Sequence, residues 1–446
     1  MEVHSQKFTK LNQMHFRSTF ERIRVEHHRF LQLLLIAALI RILVMPFFGH
    51  IDFLSEGRRI YHAWDTAYLY PGSRFVTSLI ELINFAIVSP LLAEKSSMFQ
   101  MTNWVETTAT HLEYFGFVSH HAILRTFFLL KIPFFVCDIV TGILLYRFFN
   151  DKKDGLFAGI VWFFNPVTFF ASFIFGRYES IPLMFLAASF LMLKKERMLW
   201  GVVFFGLAMW SREILITLFP FLVIYLFKYY RRNYKSLVFN IGILLLFAGF
   251  ASNILPNAFG FPKLSGDAGK TVDVFGASQS LQLFGFQIGY YYAFAMAYSL
   301  LFFHFLFSKK ITIDFLIQTI AIYYCAFFAS SIHTVHYVAW GFVPFTILAA
   351  KNHSYAKALG LFCVIWAGFW AIATDLGVFT QWLAIPSSLF WSNLPVLPAI
   401  IGDYLSGSAL TLSHLIYASR SVYAAILIFM IILTINDIRR SSHTEL

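Results

Sequence analysis

The sequence predicts an all-α membrane protein, a bundle of about twelve transmembrane helices with a long helical first outer loop. Three observations carry that expectation. Of 446 residues, 59% are hydrophobic and only 13% are charged, with a mean hydropathy of +0.68; a soluble domain carries roughly a quarter charged residues. Apolar runs of about 20 residues, the length a helix needs to cross a bilayer, recur along the chain. The connections between them alternate between short basic turns and longer stretches poorer in Lys and Arg, as cytoplasmic and outer loops do. The net charge of +11 is then an orientation signal. It calls for a lipid bilayer and for no nucleic acid.

Residues 1–28 are polar and basic (Lys7, Lys10, Arg17, Arg22 and Arg24) and read as a cytoplasmic N-terminus with no cleavable signal peptide. Residues 29–435 read as a single transmembrane domain. Its apolar runs fall at about 29–49, 122–148, 156–175, 180–193, 199–211, 214–228, 236–253, 288–307, 312–330, 337–350, 357–374 and 411–435. The basic turns "NDKKDG", "KKER", "KYYRRNYK", "SKK", "KNHSYAK" and "DIRRSS" lie on one side, which leaves both termini, including the tail 436–446, in the cytoplasm. Opposite them lie 50–121, 254–287, 331–336 and 375–410.

Residues 76–95, "VTSLIELINFAIVSPLLAEK", are apolar enough for a thirteenth span, but counting it would put every later basic turn on the wrong side. With Glu81 and Asn84 inside it, the segment reads as an amphipathic helix on the outer membrane surface. An outer loop as long as 50–121 is usually functional. Residues 254–287, rich in Gly, Ser and Pro, read as a mobile loop; residues 375–410, with Trp382 and Trp391, read as an interfacial or re-entrant segment. Cys137, Cys325 and Cys363 all fall in apolar runs, so no disulfide framework is expected.

The charge that leaves the first span is concentrated in "PFFGHIDFLSEGRRIYHAWD" (46–65). If this stretch is helical, Asp52, Glu56 and Arg59 share one face. A carboxylate there can take a proton from a bound hydroxyl. Asp52, Glu56 and Asp65 are the candidate bases of this stretch, and helix capping is the structural reading of Asp52. Outer-side cations able to hold an anion are Arg58, Arg59, Arg177, Arg212, His333 and His336, with Tyr337 beside the last; guanidinium bonds two phosphate oxygens at once. The two histidines fit a metal pair less well, because no Cys, Asp or third His accompanies them, and ordinary interfacial polarity is their bland reading. No metal and no cofactor is expected. Arg212 and Glu213 suit a structural pair as well as a site. Lys131 and Asp138, seven apart in one span, can share a face and pair, with Arg41 joining them from the first span.

The order of elements from 124 to 222 adds a resemblance. Lys131-x-Pro133 with Asp138 is followed by Asn165-Pro166, "GRYES" (176–180), a short span, the basic turn "KKER" and Pro220-Phe221. This set resembles the membrane-embedded GT-C glycosyltransferases that use polyprenyl-phosphate sugars. The part "WFFNPVTFFASFIFGRYESI" (162–181) is most similar to the GPI and asparagine-linked-glycan mannosyltransferases. The likeness spans about residues 30–230 and "HTVHYVAWGFVP" (333–344); the C-terminal third matches in topology alone, and Glu179 stands where Asp is commoner.

The resemblance implies a GT-C-like bundle with its cavity at the outer or lumenal face. It implies transfer of a hexose, mannose first, from a polyprenyl- or dolichyl-phosphate donor to a glycan, lipid or protein acceptor. Asp52 matches the essential acid that the family carries just beyond its first span. The donor already has a good leaving group, so the reaction needs a base for the acceptor hydroxyl, and a single displacement would invert the anomeric carbon. The arginines, His333, His336 and Tyr337 would hold the donor phosphate, and Glu179 would contact or support the acceptor. The location implied is a bacterial or archaeal plasma membrane or the ER membrane. The rivals are a lipid or glycan transporter or flippase, a non-catalytic scaffold on the same fold, and a polymer ligase with a diphosphate-linked donor.

Overall fold

The computed structural model describes residues 27–92, 95–99, 116–259, 261, 279–283, 286–291, 293–309, 311–330, 335–373, 397–406 and 411–443. The described residues are predominantly helical, the form in which an apolar segment satisfies its own backbone hydrogen bonds. Six helices are long and apolar enough to cross a membrane: His27–Val44, Ile123–Phe148, Tyr234–Ala251, Ile313–Ser330, His353–Ile372 and Leu412–Arg440. A bent pair, Lys152–Phe164 with Pro166–Ile174, makes a seventh if counted as one span. The remaining apolar helices are shorter. On the first helix, Leu35, Leu39 and Leu43 face outward, as lipid-facing side chains do. These features fit a multi-pass membrane protein.

The helices that build the site are α1 (His27–Val44), α2 (Ile51–Thr66), α3 (Phe75–Val88), α4 (Ile123–Leu130), α5 (Ile132–Phe148), α6 (Lys152–Phe164), α7 (Ser180–Lys194) and α8 (Met198–Ser211). α7 packs along α5 and α8, and its Ile181, Leu186 and Phe190 are fully enclosed. A second apolar cluster, with Phe53, Leu54, Phe85, Phe99 and Phe127, seats α2 and α3 on α4.

Four features depart from the sequence expectations. α3 turns Thr77, Ser78 and Glu81 inward, while Leu79, Ile83 and Ile87 face outward. The polar face of this helix therefore meets the protein and its apolar face meets the surroundings. In and just beyond the 254–287 stretch, Ile254–Ala258 is helical and Gln279–Leu283 pairs antiparallel with Phe286–Tyr291, a two-stranded hairpin among described residues that are otherwise mainly helical. The following helix begins at Ala293, later than the run at 288 suggests. Lys131 does not pair with Asp138. It stands at the break between α4 and α5, just before Pro133, and its ammonium donates to the carbonyls of Met45 (3.1 Å), Phe48 and Phe173 (2.9 Å). One cation thus ties the exit of α1 to the end of the bent pair. Asp138 instead accepts from Arg41 Nε at 2.6 Å, with both side chains enclosed.

Candidate active site

α2 starts where α1 leaves the bundle. His50 is its N-cap: the His50 side chain accepts from the Asp52 amide at 3.2 Å. Asp52 is therefore not the cap, which removes the capping role the sequence allowed. Its carboxylate lies in the first turn of the helix, where the exposed N–H groups favour negative charge. Glu56 follows one turn later. Arg58, two residues on, is buried but points roughly 200° around the helix from Glu56. Asp65, near the far end of α2, is exposed and apart from this group.

A second part arrives on the turn after the bent pair. Asn165 caps Pro166–Phe169, accepting from Thr168 N at 2.8 Å and donating to the Trp162 carbonyl at 2.9 Å, and the chain bends by 44°. The segment Phe170–Ile174 widens into a π-helical turn and Gly176 follows with φ +80°. That conformation is open to glycine and strained for other residues. A Cβ on Gly176 would also lie 3.0 Å from the Phe53 ring and 3.3 Å from Lys131. Gly176→Ala is expected to lower stability by about 1–3 kcal/mol, the usual range for a forced backbone conformation, read as a lower midpoint of thermal unfolding in detergent.

The turn delivers Arg177, Tyr178 and Glu179 to the end of α2. Arg177 Nη1 lies 3.5 Å from Asp52 Oδ2 and 3.3 Å from Glu56 Oε1. Glu56 also accepts from Arg59. Tyr178 is enclosed beneath the Arg177 and Arg212 guanidinium groups, and its hydroxyl accepts from Arg212 Nη1 at 2.5 Å. Glu179 is 0% exposed; it lies 3.6 Å from Arg212 Nη2 and accepts from Trp340 Nε1 at 2.5 Å. Tyr337 stacks on Trp340, and Arg212 sits over both rings.

Arg74 joins from the loop between α2 and α3. Trp210 Nε1 donates to the carbonyls of Pro71 and Gly72, and Asn253 accepts from Ser73 N at 2.8 Å. The turn they fix puts Arg74 at φ 66°, with its guanidinium 3.1 Å from Glu213 and 4.0 Å from Glu56. Burial raises the Glu213 pKa, but the guanidinium groups of Arg74 and Arg212 outweigh it and hold this carboxyl down at about 2.

His336 lies 3.9 Å from Glu179, 2% exposed, against the Phe175 ring that also stacks on His50. Burial lowers its pKa well below the ordinary imidazole value, and Arg177, Arg212, His50 and Arg74 push the same way. His336 is accordingly a neutral hydrogen-bonding group near neutral pH, not the cation expected from sequence. Neither ring nitrogen has a hydrogen-bond partner among the described residues. His333 lies outside the described residues.

Asp52, Glu56, Arg59, Arg177, Glu179, Arg212, His336 and Tyr337 thus converge. Sequence reasoning missed His50, Arg74 and Trp340, and took Glu81 only as a break in an apolar segment. Asp52 is the most open of the paired carboxylates in this cluster, at 39% side-chain exposure against 11% for Glu56. The assembly therefore has an accessible acid at its mouth and charge-paired arginines behind it. Comparison with protein-family models, with curated proteins and with solved structures finds no match for this chain.

Proposed function

We propose that the chain is a GT-C-like membrane glycosyltransferase with about twelve spans and both termini cytoplasmic. It moves a hexose, mannose first, from a polyprenyl- or dolichyl-phosphate donor to a glycan, lipid or protein acceptor on the outer or lumenal face. The observation that carries this reading is the open Asp52 carboxylate held 3.5 Å from the buried Arg177. A base that must meet an acceptor hydroxyl has to be reachable, and a cation that must hold a phosphate is strongest out of water.

The pairing suggests an order of events. In the resting site Arg177 is shared between Asp52 and Glu56. A donor phosphate that takes over the Arg177 guanidinium releases Asp52 to accept the acceptor's proton as the hydroxyl oxygen bonds to the anomeric carbon. The bond from that carbon to the phosphate oxygen breaks, and the lipid phosphate leaves with the electron pair. Glu179, fully enclosed, supports this site by fixing Arg212 rather than by touching the acceptor. Arg177→Gln is expected to raise the KM for donor by about tenfold or more, since a charged hydrogen bond contributes about 1.5–3 kcal/mol. Donor titration of membranes carrying the variant checks it.

The overall test is transfer from radiolabelled polyprenyl-phosphate mannose, and from several other polyprenyl-phosphate sugars, by membranes containing the full chain. Label appearing in an acceptor supports the reading. Silence with every donor at normal expression removes it and favours the transporter or scaffold reading.

A further inference from the structure

Beside the open acid, α2 and α3 border a partly open cavity of about 20 Å³ lined by Glu56, Glu81 and Asn84 together with Phe53, Phe85 and Phe134. That is room for one water, which needs roughly 10–15 Å³ and at least two polar partners. Arg59 bridges the two acids: it donates to Glu56 and stands 3.8 Å from Glu81 Oε2, beyond hydrogen-bond reach. Glu81 is buried, and its Oε2 has no hydrogen-bond partner among the described residues. Asn84 directs its amide away, to the Leu129 carbonyl at 3.0 Å.

A buried carboxylate without a direct donor is costly, whereas a carboxylic acid in the same place can donate a hydrogen bond. We infer that Glu81 is a positioning residue for the acidic site: it stays protonated at neutral pH and donates, through one water in the shared cavity, to the carboxylate of Glu56.

The surroundings agree. α2 turns Glu56 and Arg59 toward Glu81, and the turns before α3 and after the π-helical segment bring Arg74 and Arg177 near it. α4 and α5 face the cavity with Leu130 and Phe134, and α8 meets α3 through the Ser211 carbonyl, which takes the Thr77 hydroxyl. Burial raises the Glu81 pKa, the nearby Glu56 raises it further, and the three arginines lower it, leaving it at about 8. Four formal positive charges, on Arg59, Arg74, Arg177 and Arg212, then meet four formal negative ones, on Asp52, Glu56, Glu179 and Glu213. A fifth negative charge would compete with an incoming phosphate for Arg59 and Arg177.

The sign of the pH effect follows. Folding raises this pKa from the ordinary 4.5 to about 8, so the folded chain binds more protons across that range. The Glu81 contribution to stability is complete below 4.5 and is lost as pH rises to about 8. The test is infrared spectroscopy on the purified full chain and on Glu81→Gln, which keeps the shape and a hydrogen-bond donor. The expected result is a protonated-carboxyl carbonyl band at pH 7 in wild type that fades near pH 8 and is missing from Glu81→Gln. If wild type and Glu81→Gln give the same band at pH 7, the inference is overturned. If Glu81→Gln does not fold, wild type grown with 13C-carboxyl glutamate decides: a protonated-carboxyl band at pH 7 that shifts with the label and fades near pH 8 supports the inference, and the lack of a label-shifted band at pH 7 overturns it.

The consequence for catalysis rests on the proposed transferase function. Wild-type transfer should decline above about pH 8 and Glu81→Gln should not. A titrating band in a chain that transfers no sugar keeps Glu81 as assigned and sinks the transferase reading alone.

Discussion

Asp52→Asn is expected to reduce sugar transfer by on the order of a hundredfold or more, the usual contribution of a positioned general base, with expression and thermal stability close to wild type. Asparagine keeps the size of the side chain and its place in the first turn of α2, but it cannot take a proton. The fold should tolerate the change for three reasons. The side chain is 39% exposed, and His50 rather than Asp52 caps the helix. Arg177 also keeps Glu56 as a partner at 3.3 Å. The loss should fall on kcat, since a base acts on the step after donor and acceptor are bound. Measured in parallel, Arg177→Gln should move KM for the donor instead. An Asp52→Asn enzyme as active as wild type would transfer the search for the base to Glu56, the only other predicted base that shares this cluster.

How much of this was legible in the sequence depends on what kind of force placed each residue. The helical class and the six long apolar helices were legible because a bilayer demands long apolar runs, and hydropathy alone records them. The convergence of Asp52, Glu56 and Arg59 was legible because helical spacing fixes which side chains share a face. Arg177 and Glu179 could be named from "GRYES", but their meeting with α2 depends on the bend at Asn165-Pro166 and the left-handed Gly176, which no spacing rule reports. Arg74 was not legible: it reaches Glu56 and Glu213 only because Trp210 and Asn253 lock the turn before it. The charge on His336 was misjudged for a different reason. An imidazole at the outer end of a span looks solvated in sequence, yet nearly complete burial first, and then four cationic or imidazole neighbours, keep it neutral.

The enclosed pair Arg41–Asp138 makes the sharpest prediction about the fold. The two side chains are 1% and 0% exposed and 2.6 Å apart; Arg41 also donates to the carbonyls of Ala37 at 3.2 Å and Phe163 at 3.1 Å. It lies among the Phe163, Phe169 and Phe173 rings, so water cannot replace a lost partner. Asp138→Leu should therefore cost about 3–5 kcal/mol, because it leaves a buried guanidinium without its carboxylate. Replacing both, Arg41→Met with Asp138→Leu, removes the stranded charge along with the attraction and should recover most of that loss. The unfolding midpoints of wild type, both single variants and the double variant in one detergent measure the coupling directly. A double variant as unstable as the sum of the singles would mean that Arg41 holds α1 to α6 through the Phe163 carbonyl and the aromatic rings, and that Asp138 is incidental. Recovery would mean that the pair joins α1 to α5 as one unit. The site at the end of α1 would then owe its geometry to two inward tethers: the Arg41–Asp138 pair, and Lys131 binding the Met45 and Phe48 carbonyls just before His50 and Asp52.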